Sequence, residues 1–169
     1  MRRTVAAAGS ALFFALAPAV VAGVVPWLVT GWQSGDYPGW LDAPARVLGG
    51  ALVAVGAAVL VYSFVRFVAE GLGTPAPIAP PEHLVVGGAY RYVRNPMYLA
   101  VVATIAGQAL LLGRLELIWY AAAAGAVMAA FAYGYEEPAL RRRFGAEYEA
   151  YRRAVPAWRP RVRPWRGPR

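Results

Sequence analysis

The stretch "VLGGALVAVGAAVLVYSFVRFV", residues 47–68, decides the fold. It carries one charged residue, Arg66, close to its end. The hydrocarbon core of a bilayer is about 30 Å thick, and roughly 20 apolar residues of α-helix cross it at about 1.5 Å per residue. The stretch is long enough, and it predicts a helix that spans a membrane.

Three other apolar stretches accompany it along the chain. Residues 5–29 and 115–135 are long enough to span a bilayer, and residues 96–112 lie at the short limit. Because only Gly113 and Arg114 separate the last two stretches, we expect a tight antiparallel hairpin there. The sequence therefore predicts an all-α integral membrane protein with about four transmembrane helices.

The first stretch has a second interpretation, a cleaved secretory signal. Two arginines, an apolar run and small residues up to Ala22 fit that pattern. The apolar run is long for a signal, which favours a retained span. Cleavage would leave the later helices facing the same way.

The composition excludes many kinds of active site. The 169 residues are 59% apolar and 15% charged, which is too apolar for an ordinary soluble domain. There is no cysteine and a single histidine, His83, so we expect no metal site. Three serines and two aspartates leave little from which to build a Ser-His-Asp triad. The absence of lysine excludes a Walker-type phosphate loop.

The arginines predict the orientation in the membrane. They precede the first and third stretches, and ten more follow Tyr135, whereas the segment between the first two stretches holds two aspartates and only Arg46. By the positive-inside rule, both termini and residues 71–95 face the cytoplasm. The net charge of +8 lies mainly on the segments that would face the anionic inner leaflet of a bacterial cytoplasmic membrane. It therefore requires no nucleic acid as a partner.

Residues 71–95 form the long cytoplasmic connection. It is too rich in proline and glycine to be helical, and a connection of this length usually binds something or is disordered. The apolar run "HLVV" is unusual for a solvated linker. Gly87 and Gly88 would permit a close approach of the backbone to a ligand. These features favour a binding segment.

The pair Asn95-Pro96 predicts the start of the third helix. Asparagine is a strong N-cap, and proline is favoured at the first helical position. Such a helix end attracts anions, and Arg91 and Arg94 add positive charge beside it. The alternative is that the arginines contact lipid headgroups and that Asn-Pro only starts a helix.

Two adjacent acids, Glu136 and Glu137, stand where the fourth apolar stretch ends, and Pro138 ends or bends that helix. The pair could form ion pairs with nearby arginines. Alternatively, one glutamate faces the bundle and binds a cationic or polyhydroxylated ligand. A similar choice applies to Arg66 and Glu70, which are spaced for a local ion pair but could also line the site.

The C-terminal region predicts an amphipathic helix followed by an irregular tail. Leu140, Phe144, Tyr148 and Tyr151 share one helical face and arginines surround it, so we expect this helix to lie on the inner leaflet. From Pro156 onward a proline at every fourth position excludes a regular helix. The arginines and tryptophans of the tail suit a membrane interface.

The segments "EHLVVGGAYRYVRNPMY" (residues 82–98) and "EEPALRRRFGAEYEAYRRAVP" (residues 136–156) together resemble the isoprenylcysteine carboxyl methyltransferase family and its phospholipid methyltransferase relatives. The resemblance covers residues 71–160. It implies a methyltransferase that binds S-adenosylmethionine at the cytoplasmic side, releases S-adenosylhomocysteine, and methylates a lipophilic acceptor on oxygen, nitrogen or sulfur.

The resemblance also implies the cofactor site. We expect the helix start with Arg94 to bind the methionine carboxylate and Glu136 to bind the ammonium or the ribose hydroxyls. Ala132 stands where carboxyl-methylating relatives have an arginine, so a prenylcysteine carboxylate is not the expected acceptor. No general base is assigned. The implied cofactor-binding residues are Glu82, His83, Leu84, Val85, Tyr90, Arg94, Asn95, Pro96, Met97, Tyr98 and Glu136.

The resulting organisation is a two-span membrane region (1–70), a cofactor-binding core (71–160) and a basic tail (161–169). Two other functions remain open from the sequence. One is a membrane reductase of the sterol-reductase type, which would use NADPH. The other is a non-catalytic membrane scaffold.

Overall fold

In the computed structural model, residues 16–71 and 83–167 are described, and the regular structure within these two ranges is entirely helical. A π-helical turn, Ala132–Glu136, connects the last two helices without a loop, and a short 3₁₀ turn, Gly88–Arg91, precedes the third. The prediction of an all-α fold is confirmed for this part of the chain. The helices are α1 (Leu16–Thr30), α2 (Gly39–Gly71), α3 (Pro96–Leu112), α4 (Glu116–Phe131) and α5 (Glu137–Ala154).

Two stretches of helix are long and apolar enough to cross a membrane, Gly39–Phe67 and Glu116–Ala154. Only 17% of the most apolar part of each is buried inside the protein. Trp40 and Trp119 are 80% and 77% exposed. Apolar helices with such exposed surfaces are typical of integral membrane proteins, where lipid covers them.

The other two predicted spans are represented by shorter apolar helices. α1 has 15 described residues, because residues 5–15 of the first predicted span lie outside the described ranges. α3 has 17 residues, as its apolar stretch predicted. Within the described ranges, two helical stretches therefore have the full length of a span, and two shorter apolar helices accompany them.

The start of α2 corrects the predicted boundary. The helix begins at Gly39, eight residues before the apolar run, because its polar first turns are stabilised by side chains. Asp42 lies near the helix N-terminus, where a negative charge is favourable. Its carboxylate accepts a 2.8 Å hydrogen bond from Arg46, one turn later.

Small residues allow α2 and α3 to pack with their backbones close together. A Cβ atom on Gly107 of α3 would lie 2.8 Å from the carbonyl oxygen of Gly49 and 2.8 Å from the backbone nitrogen of Val53. Gly56 of α2 packs in the same way, against Thr104. Close approach at small residues is the usual packing of membrane helices. This contact fixes the register between α2 and α3.

We expect Gly107→Ala to destabilise the protein by about 1–3 kcal/mol, because the added methyl group would overlap backbone atoms that cannot move aside easily. The matched control is Gly125→Ala in α4, where a Cβ would meet only a Val102 methyl at 3.4 Å. Thermal unfolding in detergent should show a lower midpoint for the first variant and an unchanged or higher midpoint for the second. Equal midpoints would contradict the close packing.

The end of the bundle opposite Asn95 is closed by the predicted hairpin and by the loop before α2. Gly113 follows α3 with φ of 67°, a left-handed conformation that suits glycine. The last three carbonyls of α3 accept hydrogen bonds from the Gly35 backbone, the Tyr37 hydroxyl and the Arg46 guanidinium, at 2.7 to 3.0 Å. Arg114 bonds to the loop as well. The arginines at this end therefore have structural roles.

The amphipathic helix predicted after Pro138 is present as α5, but the prediction that its apolar face lies on lipid is wrong for two residues. Gly145 has φ of 50° and ψ of −120°, so the helix is kinked there. Beyond the kink, Tyr148 and Tyr151 are only 2% and 3% exposed. They pack against protein because the "HLVV" segment and the C-terminal tail cover this face.

Candidate functional site

A hydrogen bond between Tyr98 and Glu136 joins the start of α3 to the end of the π-helical turn. The Tyr98 hydroxyl donates to Oε1 of Glu136 at 2.7 Å, and the Tyr98 side chain is partly buried. Asn95 immediately precedes α3 and lies one turn before Tyr98. These three residues, which the sequence placed in one site, are therefore at the same end of the bundle.

The π-helical turn separates the two adjacent glutamates. Pro138 has no N–H, so it cannot make the α-helical hydrogen bond at its position, and the wider turn directly precedes it. Glu136 bonds to Tyr98, whereas Glu137 forms a 2.8 Å ion pair with Arg94. The ion-pair interpretation is thus confirmed for Glu137, and ligand binding by Glu136 stays a prediction. The helix does not end at Pro138.

Arg94 is held firmly by protein groups. Its Nη1 donates to Glu137 and, at 2.9 Å, to the hydroxyl of Tyr148. The side chains of Arg94 and Glu137 are each 11% exposed, so this is a buried ion pair. The other arginine near the helix start, Arg91, donates from Nε to the backbone oxygen of Trp165 at 2.7 Å. Both arginines lie beside the start of α3 and make contacts within the protein.

The start of α3 is where the sequence predicted it. Pro96 is the first helical residue and Asn95 holds the N-cap position. The Asn95 side chain makes no capping hydrogen bond. The positive end of the helix dipole therefore lies beside the Tyr98–Glu136 pair without a side-chain cap.

Tyr90 carries a buried hydroxyl that has no hydrogen-bond partner among the described residues. The residue is 6% exposed. Burial raises the pKa of Tyr90, and negative charge on Tyr151, Glu136 and Glu70 raises it further, so this hydroxyl is a neutral donor. An unpaired buried donor costs about 1–3 kcal/mol, which a polar ligand could offset. This hydroxyl is thus available to a polar ligand that carries an acceptor atom.

The two glycines before Tyr90 lie close to α2, and an approach of their backbone to a ligand stays a prediction. The Gly87 backbone donates to Glu70 at 2.9 Å. Gly88 has φ of 54°, and a Cβ there would lie 2.9 Å from the Tyr62 hydroxyl and 3.1 Å from Nε of Arg66. Arg66 and Glu70 form the predicted local ion pair, at 3.2 Å. This polar face of α2 therefore holds the connecting segment in place.

The other residues of that segment that were predicted to bind the cofactor lie in different surroundings. Leu84 packs on the cluster of Tyr148, Tyr151 and Val155, Val85 is 6% exposed, and His83 is exposed. Glu82 lies outside the described residues. The apolar run "HLVV" thus contributes to the protein interior.

Trp158 lies against the site, and the sequence did not indicate it. Its ring is stacked near Tyr98, with centroids 6.3 Å apart and planes 20° apart. Its Nε1 donates to the Tyr133 hydroxyl at 2.8 Å. The only signal in the sequence was a tryptophan among prolines and arginines, which favoured a membrane interface.

An apolar cavity of about 160 Å³ adjoins this polar cluster. Residues from four helices line it, and Tyr98 is one of them. Tyr98 therefore forms part of the cavity wall while its hydroxyl reaches Glu136. Lining residues from the four helices include Pro18, Val21, Leu60, Met97, Val101 and Met128.

A comparison with protein families identifies the class of protein. The model of the phospholipid methyltransferase family matches residues 44–147, which is more than half of the chain and includes Tyr98 and Glu136. No curated protein matches the chain, and no solved structure does. The chain belongs to the phospholipid methyltransferase family and is a methyltransferase.

Proposed function

We propose that the protein transfers a methyl group from S-adenosylmethionine to a lipid acceptor inside the membrane. The observation that carries the proposal is the double role of Tyr98. Its hydroxyl bonds to Glu136 on the polar side, and its side chain lines the apolar cavity on the other. A polar cofactor beside Glu136 and a hydrocarbon acceptor in the cavity could therefore both contact Tyr98.

The polar side suits the cofactor by its chemistry. The start of α3 without a side-chain cap provides N–H groups and a positive dipole for the methionine carboxylate. Glu136 can accept hydrogen bonds from the ammonium or the ribose hydroxyls, and the Tyr90 hydroxyl is a buried donor that lacks a partner within the described part of the chain. When bound, S-adenosylmethionine supplies an activated methyl group on a sulfonium.

The apolar side suits hydrocarbon. The side chains that line the cavity carry no charge, and the Tyr98 hydroxyl is the one hydrogen-bonding group among them, so binding there relies on burial of apolar surface at about 25 cal/mol per Å². Ala132, at the position where carboxyl-methylating relatives have an arginine, is 1% exposed and provides no charge for a carboxylate. The acceptor we propose is therefore a lipid whose reactive group is not a carboxylate.

The protein's contribution to the reaction is alignment and exclusion of water. The bound cofactor would supply a methyl carbon to which the acceptor heteroatom donates a lone pair; the sulfur would keep the electron pair of the broken sulfur–methyl bond, and a proton carried by the heteroatom would be released to solvent. Such an in-line displacement gains most from fixed positions of the two reactants. Tyr98 and Glu136 fix the cofactor side, and the surrounding apolar side chains keep water away from the acceptor.

The distribution of arginines supports a cytoplasmic location for this site. Exposed arginines surround the end of the bundle that carries Glu136, for example Arg142, Arg143 and Arg153. At the opposite end, Arg46 and Arg114 bond to backbone carbonyls. By the positive-inside rule, this distribution supports a Glu136 end at the inner leaflet, where the cofactor is available.

Calorimetry on the purified, detergent-solubilised protein tests the cofactor. We expect S-adenosylhomocysteine to bind, because the site offers an acidic side chain beside a helix start, and we expect NADPH not to bind. Binding of NADPH alone would support a reductase and overturn the proposal. Binding of neither would support a scaffold without enzymatic activity.

The acceptor is identified by a second experiment. Protein and methyl-labelled S-adenosylmethionine are incubated with a lipid extract, and the labelled product is analysed. We expect the label in the organic phase, on a lipid. Label found only on a water-soluble product would contradict a membrane acceptor.

A further inference from the structure

The C-terminal tail, residues 155–165, lies outside the part of the chain that the family comparison matches. Resting on the proposed function, we infer that Trp158 in this tail is a positioning residue for methyl transfer. It holds the ring of Tyr98 so that the Tyr98 hydroxyl stays on Glu136. The argument depends on how the tail is anchored, on what Trp158 contacts, and on which elements those contacts join.

The tail is anchored on both sides of Trp158. Before it, the carbonyls of Pro156 and Ala157 accept hydrogen bonds from the backbones of Arg94 and Asn95, at 2.9 and 3.3 Å. After it, the Arg161 backbone donates to Tyr92 at 2.9 Å. Val155 is fully buried and Ala157 is 7% exposed. Trp158 is thus fixed against the segment that leads into α3.

Trp158 contacts two elements that the Tyr98–Glu136 hydrogen bond also joins. Its ring is stacked near Tyr98, which belongs to the first turn of α3. Its Nε1 donates to Tyr133, which belongs to the same π-helical turn as Glu136. Trp158 therefore forms a second link across the junction that carries the candidate site.

This link has a specific consequence for Tyr98. With the indole in place, the phenol ring has an aromatic neighbour whose centroid lies 6.3 Å from its own, and fewer of its side-chain orientations remain open. Without the indole, Tyr98 could turn away from Glu136, and water could reach the boundary between the cofactor and the acceptor. A group that fixes orientation is expected to act on both cofactor affinity and turnover.

Two substitutions separate the stacking from the hydrogen bond. Trp158→Phe keeps an aromatic ring beside Tyr98 and loses the N–H that bonds to Tyr133, whereas Trp158→Ala loses both. We expect Trp158→Ala to weaken S-adenosylhomocysteine binding about 3- to 10-fold, as the loss of an aromatic pair would. We expect Trp158→Phe to bind more tightly than Trp158→Ala. Calorimetry measures the affinity, and the ratio of kcat to KM with lipid extract is measured in parallel.

The control is Trp165, the other tryptophan of the tail. Its ring lies 5.3 Å from that of Tyr151, in the interior formed by the tail and α5, and not beside Tyr98. We expect Trp165→Phe to lower the thermal unfolding midpoint and to leave the affinity for S-adenosylhomocysteine unchanged. A purely structural role for Trp158 would give the same pattern as this control, and it would overturn the inference.

A double-mutant cycle with Tyr98→Phe tests whether Trp158 acts through Tyr98. If it does, Trp158→Ala should weaken binding much less when Tyr98 has already lost its hydroxyl, because the two losses are coupled. Fully additive losses would overturn the inference. Binding by the wild type distinguishes failure of the proposed function from failure of the role of Trp158. If the wild type does not bind S-adenosylhomocysteine, the proposed function fails. If it binds and Trp158→Ala binds equally well, only the role of Trp158 fails.

Discussion

Replacing Glu136 with glutamine is expected to weaken S-adenosylhomocysteine binding roughly 10- to 100-fold, the loss typical of a hydrogen bond to a charged group. The substitution removes the charge and keeps the hydrogen bond, because the amide oxygen of glutamine can still accept the 2.7 Å bond from Tyr98. The ring position and the packing should therefore be kept while the negative charge is lost. Calorimetry gives the affinity, and thermal unfolding should give an unchanged midpoint.

The matched control for this prediction is Glu149→Gln in α5. Glu149 forms surface ion pairs with Arg141 and Arg152, at 3.0 and 3.3 Å, and its side chain is 31% exposed. The same chemical change there should leave cofactor affinity as it is, because surface pairs contribute little and this one is remote from Tyr98. If Glu136→Gln binds as tightly as the wild type, Glu136 does not contact the cofactor and the proposed site is wrong.

The start of α3 and the hairpin after it could be predicted because their signals are local. Asn95-Pro96 combines an N-cap with a proline that fits the first helical position, and Gly113 fits a left-handed helix end. Such signals act within a few residues and need no knowledge of distant parts of the chain. The lengths of the apolar runs in α2 and α3 could likewise be predicted from neighbouring residues alone.

The contacts that the sequence could not reveal join distant residues. The tail bonds to the segment before α3 across more than 60 residues, and no periodicity or motif indicates that pairing. For the same reason the tail tryptophans were interpreted as interfacial, although Trp165 packs on Tyr151. Gly87 and Gly88 showed that something approaches the backbone, but not that the neighbour is the polar face of α2.

That Glu136 and Glu137 have different partners could not be predicted from the sequence either. In a regular α-helix, adjacent residues point about 100° apart, since one turn has about 3.6 residues. The sequence left open whether these acids pair with arginines or bind a ligand, and it did not identify the partner of each. The π-helical turn before Pro138 and the position of Arg94 across the junction decide that. Both depend on tertiary packing.

Replacing Glu137 with glutamine is expected to destabilise the protein by about 3 kcal/mol, because it leaves the buried charge of Arg94 without its counter-charge. The two side chains are each 11% exposed, so water cannot replace the lost partner easily. Thermal unfolding in detergent should show a clearly lower midpoint. This outcome is the opposite of that for Glu136→Gln, although the two substitutions are adjacent and chemically identical.

The position of Arg94 explains why its ion pair matters to the whole site. Its Nη1 also bonds to Tyr148 beyond the kink in α5, and its backbone N–H bonds to Pro156 in the tail. Loss of the counter-charge would therefore loosen α5 and the tail together, and the segment next to Asn95 with them. Cofactor binding by Glu137→Gln should weaken as well, because the tail that holds Trp158 against Tyr98 is anchored on this segment.

The double variant Arg94→Met, Glu137→Leu distinguishes a buried pair from a surface pair. Because it removes both charges, it should be more stable than either single variant, as is found when buried ion pairs are replaced by apolar side chains. An exposed pair would instead be worth about 1 kcal/mol or less, and then neither single variant would lower the midpoint much. That result would mean that water reaches Arg94 and that the junction between α3 and the π-helical turn is open to solvent.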